Sequence, residues 1–183
     1  MATTDIMMGE ETFHPDTRAL LAYGRALAGG GPAPKKGGAD QVLERLFVIE
    51  RRPDGRWPLR SFGGELVACF GRDLKERDFA ELWLKPDLRL FEAMIDACAE
   101  AGEPGIARIM AETANGGMRM GAEILITPLR VDQNFGERYL GLFQPLGGEA
   151  FLDGRPITRL RLGSLHPPQA KAGANVRLVV SND

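Results

Sequence analysis

The chain has 183 residues, 44% hydrophobic and 26% charged, with a formal net charge of −2 at pH 7. That is enough chain to bury a core without disulfides or metals, too apolar for disorder throughout, and without the basic excess of a dedicated nucleic-acid binder. Its two cysteines, Cys69 and Cys98, lie in apolar helical patterns and read as buried thiols of a reducing compartment. No apolar leader opens the sequence and no run reaches the roughly 18 apolar residues of a membrane span, so the expected location is the cytoplasm.

Residues 1–13 are expected to be disordered. His14-Pro15-Asp16 then opens a helix, because proline at the first helical position has its φ already set. Leu20, Leu21, Tyr23 and Leu27 give that helix an apolar stripe. Gly29–Gly31 stop it, and residues 29–40 form a Gly/Pro linker. Residues 43–52 and 57–62 read as strands joined by the turn Pro53-Asp54-Gly55. A short helix over 65–70 ends at Gly71, and Asp78 with Glu81 forms a capping box for another short helix. Pro86 opens the longest helix, whose stripe is Leu88, Phe91, Ile95 and Cys98 and whose stop is Gly102.

The last third is predicted as strands over 106–113, 118–129 and 138–145. Asn115-Gly116-Gly117 makes a tight turn and residues 132–136 a looser one. Residues 157–162 follow as a further strand-like segment, and 176–180 is the one strand-like stretch of the tail. The order of the principal elements, a helix, two strands, a helical middle and three strands, argues an α+β fold with an antiparallel sheet and helices on one face.

This order, together with several residue patterns, resembles the PAS fold, and more closely a family of small bacterial single-domain PAS proteins. The matching residues are His14-Pro15, Leu21 and Tyr23; Leu46-Phe47 and Glu50; Arg60-Ser61-Phe62-Gly63; and Phe70-Gly71-Arg72-Asp73-Leu74 with Phe79 and Leu82-Trp83. They continue with Glu123, Leu125, Pro128-Leu129, Leu140-Gly141, Leu160, Leu162 and Ser164-Leu165, so that the resemblance spans roughly residues 14–166. It departs at Gly24, where the family has Trp. The resemblance implies a five-stranded antiparallel sheet, an N-terminal helix outside the core, and a domain over 41–165 between the helix and linker (14–40) and a tail (166–183).

Within that fold, a ligand pocket would be lined by Phe47, Phe62, Phe70, Arg72, Leu82, Phe91, Ile95, Glu123, Ile124 and Leu140. Taken singly, each of the apolar ones reads better as core packing, and Arg72 as a solvated residue beside a helix cap. Glu123 sits among apolar residues of a strand, in phase with Leu125 and Thr127, and if buried needs a cation such as Arg108 or Arg138. Both faces of the late strands are apolar, so the sheet needs two covers. The first helix is expected on the outer face, with homodimerisation there through Leu20, Tyr23, Leu27, Leu125, Tyr139 and Phe143.

No enzyme motif is present, and the only acid–base pair on offer is Glu123 with Asp73. The sole histidines, His14 and His166, fall outside the expected core, which argues against haem, and neither cysteine has the setting of a photoactive flavin site. Arg155, Arg159 and Arg161 cluster late in the chain and read as a solvated strand edge. The expectation is a non-catalytic sensory or regulatory module without cofactor or metal. It would act as a homodimer on signalling proteins such as kinases or regulators, with no nucleic acid and no membrane. A small-molecule ligand in the pocket could tune it; the alternatives are a ligand-free adaptor of the same fold and a small-molecule enzyme using Glu123 and Asp73.

Overall fold

A computed structural model of the chain describes residues 12–29, 42–114, 118–129, 136–147, 152 and 154–168. The expected disorder of 1–11, the linker, the Asn115 turn, most of the 132–136 loop and the tail strand lie outside the described residues. Helix α1 (Pro15–Ala28) begins with Pro15, as the sequence predicts. The hairpin β1 (Leu46–Glu50) and β2 (Leu59–Phe62) turns at Gly55, whose φ of 80° only glycine adopts readily. Helix α2 (Gly64–Phe70) ends at Gly71 in the left-handed conformation. The segment read as a short capped helix is a single 3-10 turn, Phe79–Leu82. Asp78 caps it by accepting from the Ala80 amide. Helix α3 (Lys85–Ala101) carries proline in its first turn and stops at Gly102.

Strands β3 (Gly105–Thr113), β4 (Arg119–Leu129), β5 (Arg138–Pro145) and β6 (Ile157–His166) complete one antiparallel sheet in the order β2-β1-β5-β4-β3-β6. The sheet thus has six strands rather than the expected five. The segment read as 157–162 runs on to His166 and pairs with β3 along its length, from Thr113 opposite Ile157 to Ile106 opposite His166. A bulge opposite Arg108–Ile109 accommodates Gly163. The open edge of β6 is tied down where the Leu162 amide donates to Asp87 Oδ2 (3.1 Å) and Trp83 bridges Leu160.

The sheet separates two apolar layers. Helices α2 and α3 and the 3-10 turn cover one face, and the main core lies between them and the sheet. Helix α1 covers the other, over a smaller cluster of Phe13, Leu21, Ile106, Leu125 and Leu142. The first helix therefore packs where the sequence placed it. Gly24 explains how closely it approaches: a Cβ there would lie 3.0 Å from Thr127 Oγ1 and 3.2 Å from Pro104 Cγ, so a tryptophan could not occupy this seat.

Candidate functional site

On the helix side, seven of the predicted pocket residues, Phe47, Phe62, Phe70, Leu82, Phe91, Ile95 and Ile124, come together in one core. They are in contact with each other and with further rings. Phe47 stacks on Phe79 (5.4 Å between centroids), Trp83 on Phe91 (4.6 Å), and Phe70 meets Phe62 (5.6 Å) and Phe143 (5.7 Å) edge-on. Gly141 of β5 sits directly beneath the Phe47 ring, which occupies the space any side chain there would need. Aromatic rings thus fill the volume between sheet and helices.

Three predicted pocket residues are placed elsewhere. Arg72 is exposed after Gly71, on the rim of a cleft of about 120 Å³ that it shares with Leu59, Asp78, Leu82 and Thr158. Leu140, pairing with Thr127, belongs to the outer face, because Tyr139, Gly141 and Phe143 point into the core. Glu123 is also on the outer face. For the same reason Tyr139 and Phe143 are not on the partner face as expected: both are core residues. Burial pushes the Tyr139 phenol well up, helped by Glu137, which accepts its hydrogen bond at 3.1 Å. A larger open groove of about 700 Å³ lies by the C-terminal ends of α1 and α3, lined by Gly24, Ala28, Ala99, Gly102 and Pro128 among others. None of the predicted pocket residues lines it.

The outer face is chemically different. Glu123 is fully buried, and its Oε2 accepts from the backbone amide of His14 (3.1 Å), at the start of α1. The negative charge therefore faces the positive end of the helix. Its cation is Arg108, the cross-strand neighbour, with Nε 3.6 Å from Oε1. Arg138, the other candidate, is engaged by Glu50 (2.9 Å). Arg108 also donates to the Thr12 carbonyl (2.7 Å) and lies 5.0 Å over the Phe13 ring, which meets His166 edge-on at 4.9 Å. Phe13 is thus a buried anchor of the N-terminal segment, correcting its assignment to the disordered end. His166 is correspondingly a strand residue. Burial, and next the Arg108 charge, hold its pKa below the ordinary histidine range against the opposing pull of Glu123.

Arg45 was not among the residues expected to matter. It is 9% exposed and joins three elements, donating to Gln144 of β5 and to Asp16 of α1 (2.8 Å), with Glu65 of α2 at 3.3 Å. Its place in a polar stretch, Glu44-Arg45, offered no periodic signal. Leu20 packs against the outer cluster, Tyr23 is half-buried, and the side chain of Leu27 lies outside the described residues. Five buried side-chain atoms of the described residues have no hydrogen-bond partner. Four of them, on Thr17, Arg108, Glu123 and Thr127, belong to this seam, and the fifth is Trp83 Nε1 in the core.

The proposed acid–base pair does not form. Asp73 is exposed and caps its own turn by accepting from the Lys75 amide (2.9 Å), while Glu123 is buried beneath α1 on the other face of the sheet. Cys98 is fully buried, which pushes its thiol up to about 12, and Cys69 is only half-buried. Among the described residues no cluster of three His, Cys, Asp or Glu could hold a metal ion, and no helix is long and apolar enough to cross a membrane.

The family model for the PAS domain matches residues 12–144, from the Phe13 anchor through β5. The chain belongs to the PAS domain family. No curated protein matches it. Among solved structures this PAS chain is similar to the LOV domain of the blue-light photoreceptor Aureochrome1, at 12% identity over 65% of this chain and 90% of that one (TM-score 0.45). It is also similar to a fungal LOV-domain photoreceptor (19%, 68% and 91%, TM-score 0.46) and to the blue-light photoreceptor Vivid (14%, 68% and 92%, TM-score 0.44). At these identities the likeness concerns the fold alone.

Proposed function

We propose that this PAS domain is a non-catalytic signalling module that works through protein contacts on the outer face of its sheet, as a homodimer and with partner proteins, in the cytoplasm. The observation that carries this reading is the filled helix-side core. Phe47, Phe79, Trp83 and Phe91 stack where a PAS ligand would lie, and Gly141 leaves room only for the Phe47 ring. These ring contacts support a module that works without a planar cofactor such as a flavin, and the separation of buried Glu123 from exposed Asp73 supports a non-catalytic role. The outer face, by contrast, has a small apolar layer that α1, Phe13 and Val42 close among the described residues, over buried polar groups that are incompletely paired.

A small-molecule sensor is the second reading, and one observation favours it. Trp83 Nε1 is buried without an acceptor, a donor that a small polar ligand or water could satisfy. Native mass spectrometry of freshly purified protein decides between them. The proposal predicts a dimer of bare chain mass. A dimer carrying extra mass that is lost on denaturation moves the assignment to the sensor, and a bare monomer overturns dimerisation.

A further inference from the structure

Among the described residues, helix α1 covers only part of the outer face. Beyond Glu123 the register places Gly121 of β4 between Met110 of β3 and Leu146, whose amide donates to the Gly121 carbonyl (2.9 Å). Met110 is 41% and Leu146 46% exposed, two of the most exposed large apolar side chains described, and nothing lies within 4 Å of the position a Gly121 Cβ would take. A trough therefore runs along β4, with glycine as its floor and an apolar wall on each side. Its walls stand two inter-strand spacings apart, about 9.5 Å, which admits one aliphatic or aromatic side chain.

Arginines frame this trough. Arg161 stands opposite Met110, and two residues along the strands Arg119 and Arg159 flank Glu112. Glu112 is 7% exposed and is engaged by Arg119 (3.2 Å), and Arg161 reaches Asp87 at the sheet edge (3.0 Å). Arg159 is exposed and has no acidic partner among the described residues. With Glu112 offsetting Arg119 and Asp87 offsetting Arg161, Arg159 is the uncompensated positive charge beside the trough, on a chain of net charge −2.

We propose that this uncovered half of the sheet is the docking surface for an acidic segment of a partner protein. One apolar side chain would seat over Gly121, and carboxylates within about 7 Å of it, two positions along an extended strand, would meet Arg159 and Arg119. The inference rests on the outer-face reading above and gives it a partner chemistry. A guanidinium fork pairs a carboxylate through two hydrogen bonds. Three arginines are too few for a nucleic-acid backbone, whose binders make about 6–10 phosphate contacts. The trough also favours a protruding side chain over a flat lipid surface.

The test is fluorescence anisotropy of the full chain with a short labelled peptide alternating Glu and Asp with Leu and Phe. Its Lys-substituted twin, phosphatidylglycerol vesicles and a single-stranded oligonucleotide are run beside it. The acidic peptide is expected to bind with an affinity that falls as salt rises, and the Lys twin not to bind. Arg159→Gln, at an exposed side chain with no acidic partner among the described residues, removes one positive charge without placing a like charge opposite Glu112 and should weaken binding about fivefold. Gly121→Val, which fills the trough without changing charge, should weaken it similarly. No peptide binding, binding indifferent to these variants, or stronger binding of vesicles or oligonucleotide overturns the proposal. Native mass spectrometry reads dimerisation separately, so the docking surface can fail while the module reading stands.

Discussion

The two layers on either side of this sheet are held by different physics. The helix-side core is aromatic, closely packed and almost free of unpaired polar atoms, whereas the layer beneath α1 places Glu123, Thr17 and Thr127 among a handful of apolar side chains. Hydrophobic burial and packing fix the first in one arrangement. The second combines modest apolar area with a buried carboxylate whose Oε1 accepts no hydrogen bond, so α1 is expected to open at lower cost than the core. The contrast teaches that the two faces are unequally secured, and the outer one is the face expected to change without unfolding the domain.

The largest effect should come from breaking the core. Phe91→Ala removes a fully buried ring that stacks on Trp83 and touches Phe79, and should cost about 3–5 kcal/mol of global stability in urea unfolding. Loss of less than about 1 kcal/mol would mean that the ring space is not closely packed. A smaller and local effect is expected on the outer face. Glu123→Gln keeps the shape but removes the charge facing the α1 amino end and Arg108. It should weaken α1 docking by about 1–2 kcal/mol, read as faster amide exchange confined to α1. Equal acceleration in α3 would remove the distinction between the layers.

The smallest effect is electrostatic. His166 is held below its ordinary pKa, so the unfolded or undocked state binds the proton more tightly. The Phe13 anchor is at full strength above the ordinary histidine range and loses stability as pH falls through about 6.5 toward the lowered value. Nuclear magnetic resonance titration of Phe13 and His166 between neutral and mildly acid pH checks the sign. Tightening on acidification would contradict it.

Much of this was legible in the sequence. Proline and glycine punctuation set the ends of α1, α2 and α3, and the stripe through Phe91, Ile95 and Cys98 named the buried face of α3. The faces of β5 were not legible, because Tyr139, Leu140, Leu142 and Phe143 are apolar in both phases and alternation then carries no sign. Gly141 held the deciding information: a strand glycine marks where something large approaches, here the Phe47 ring. Glu123 was expected in the pocket, and its phase with Leu125, which was assigned to the outer face, went unused. Its partner, the His14 amide 109 residues away, is a product of the tertiary fold alone. The same holds for Arg45, whose bonds span α1, α2 and β5, and for the pairing of β6 with β3.

The most direct test of the difference between the layers is native-state hydrogen exchange of the unmodified protein. The account predicts that amides of α1 exchange through a local opening, well ahead of those of α3 and the central strands β4 and β5, which should exchange only with global unfolding. If α1 and α3 amides share one opening free energy, the outer layer is as fixed as the core, and the claim that this PAS domain works through a separable outer face fails.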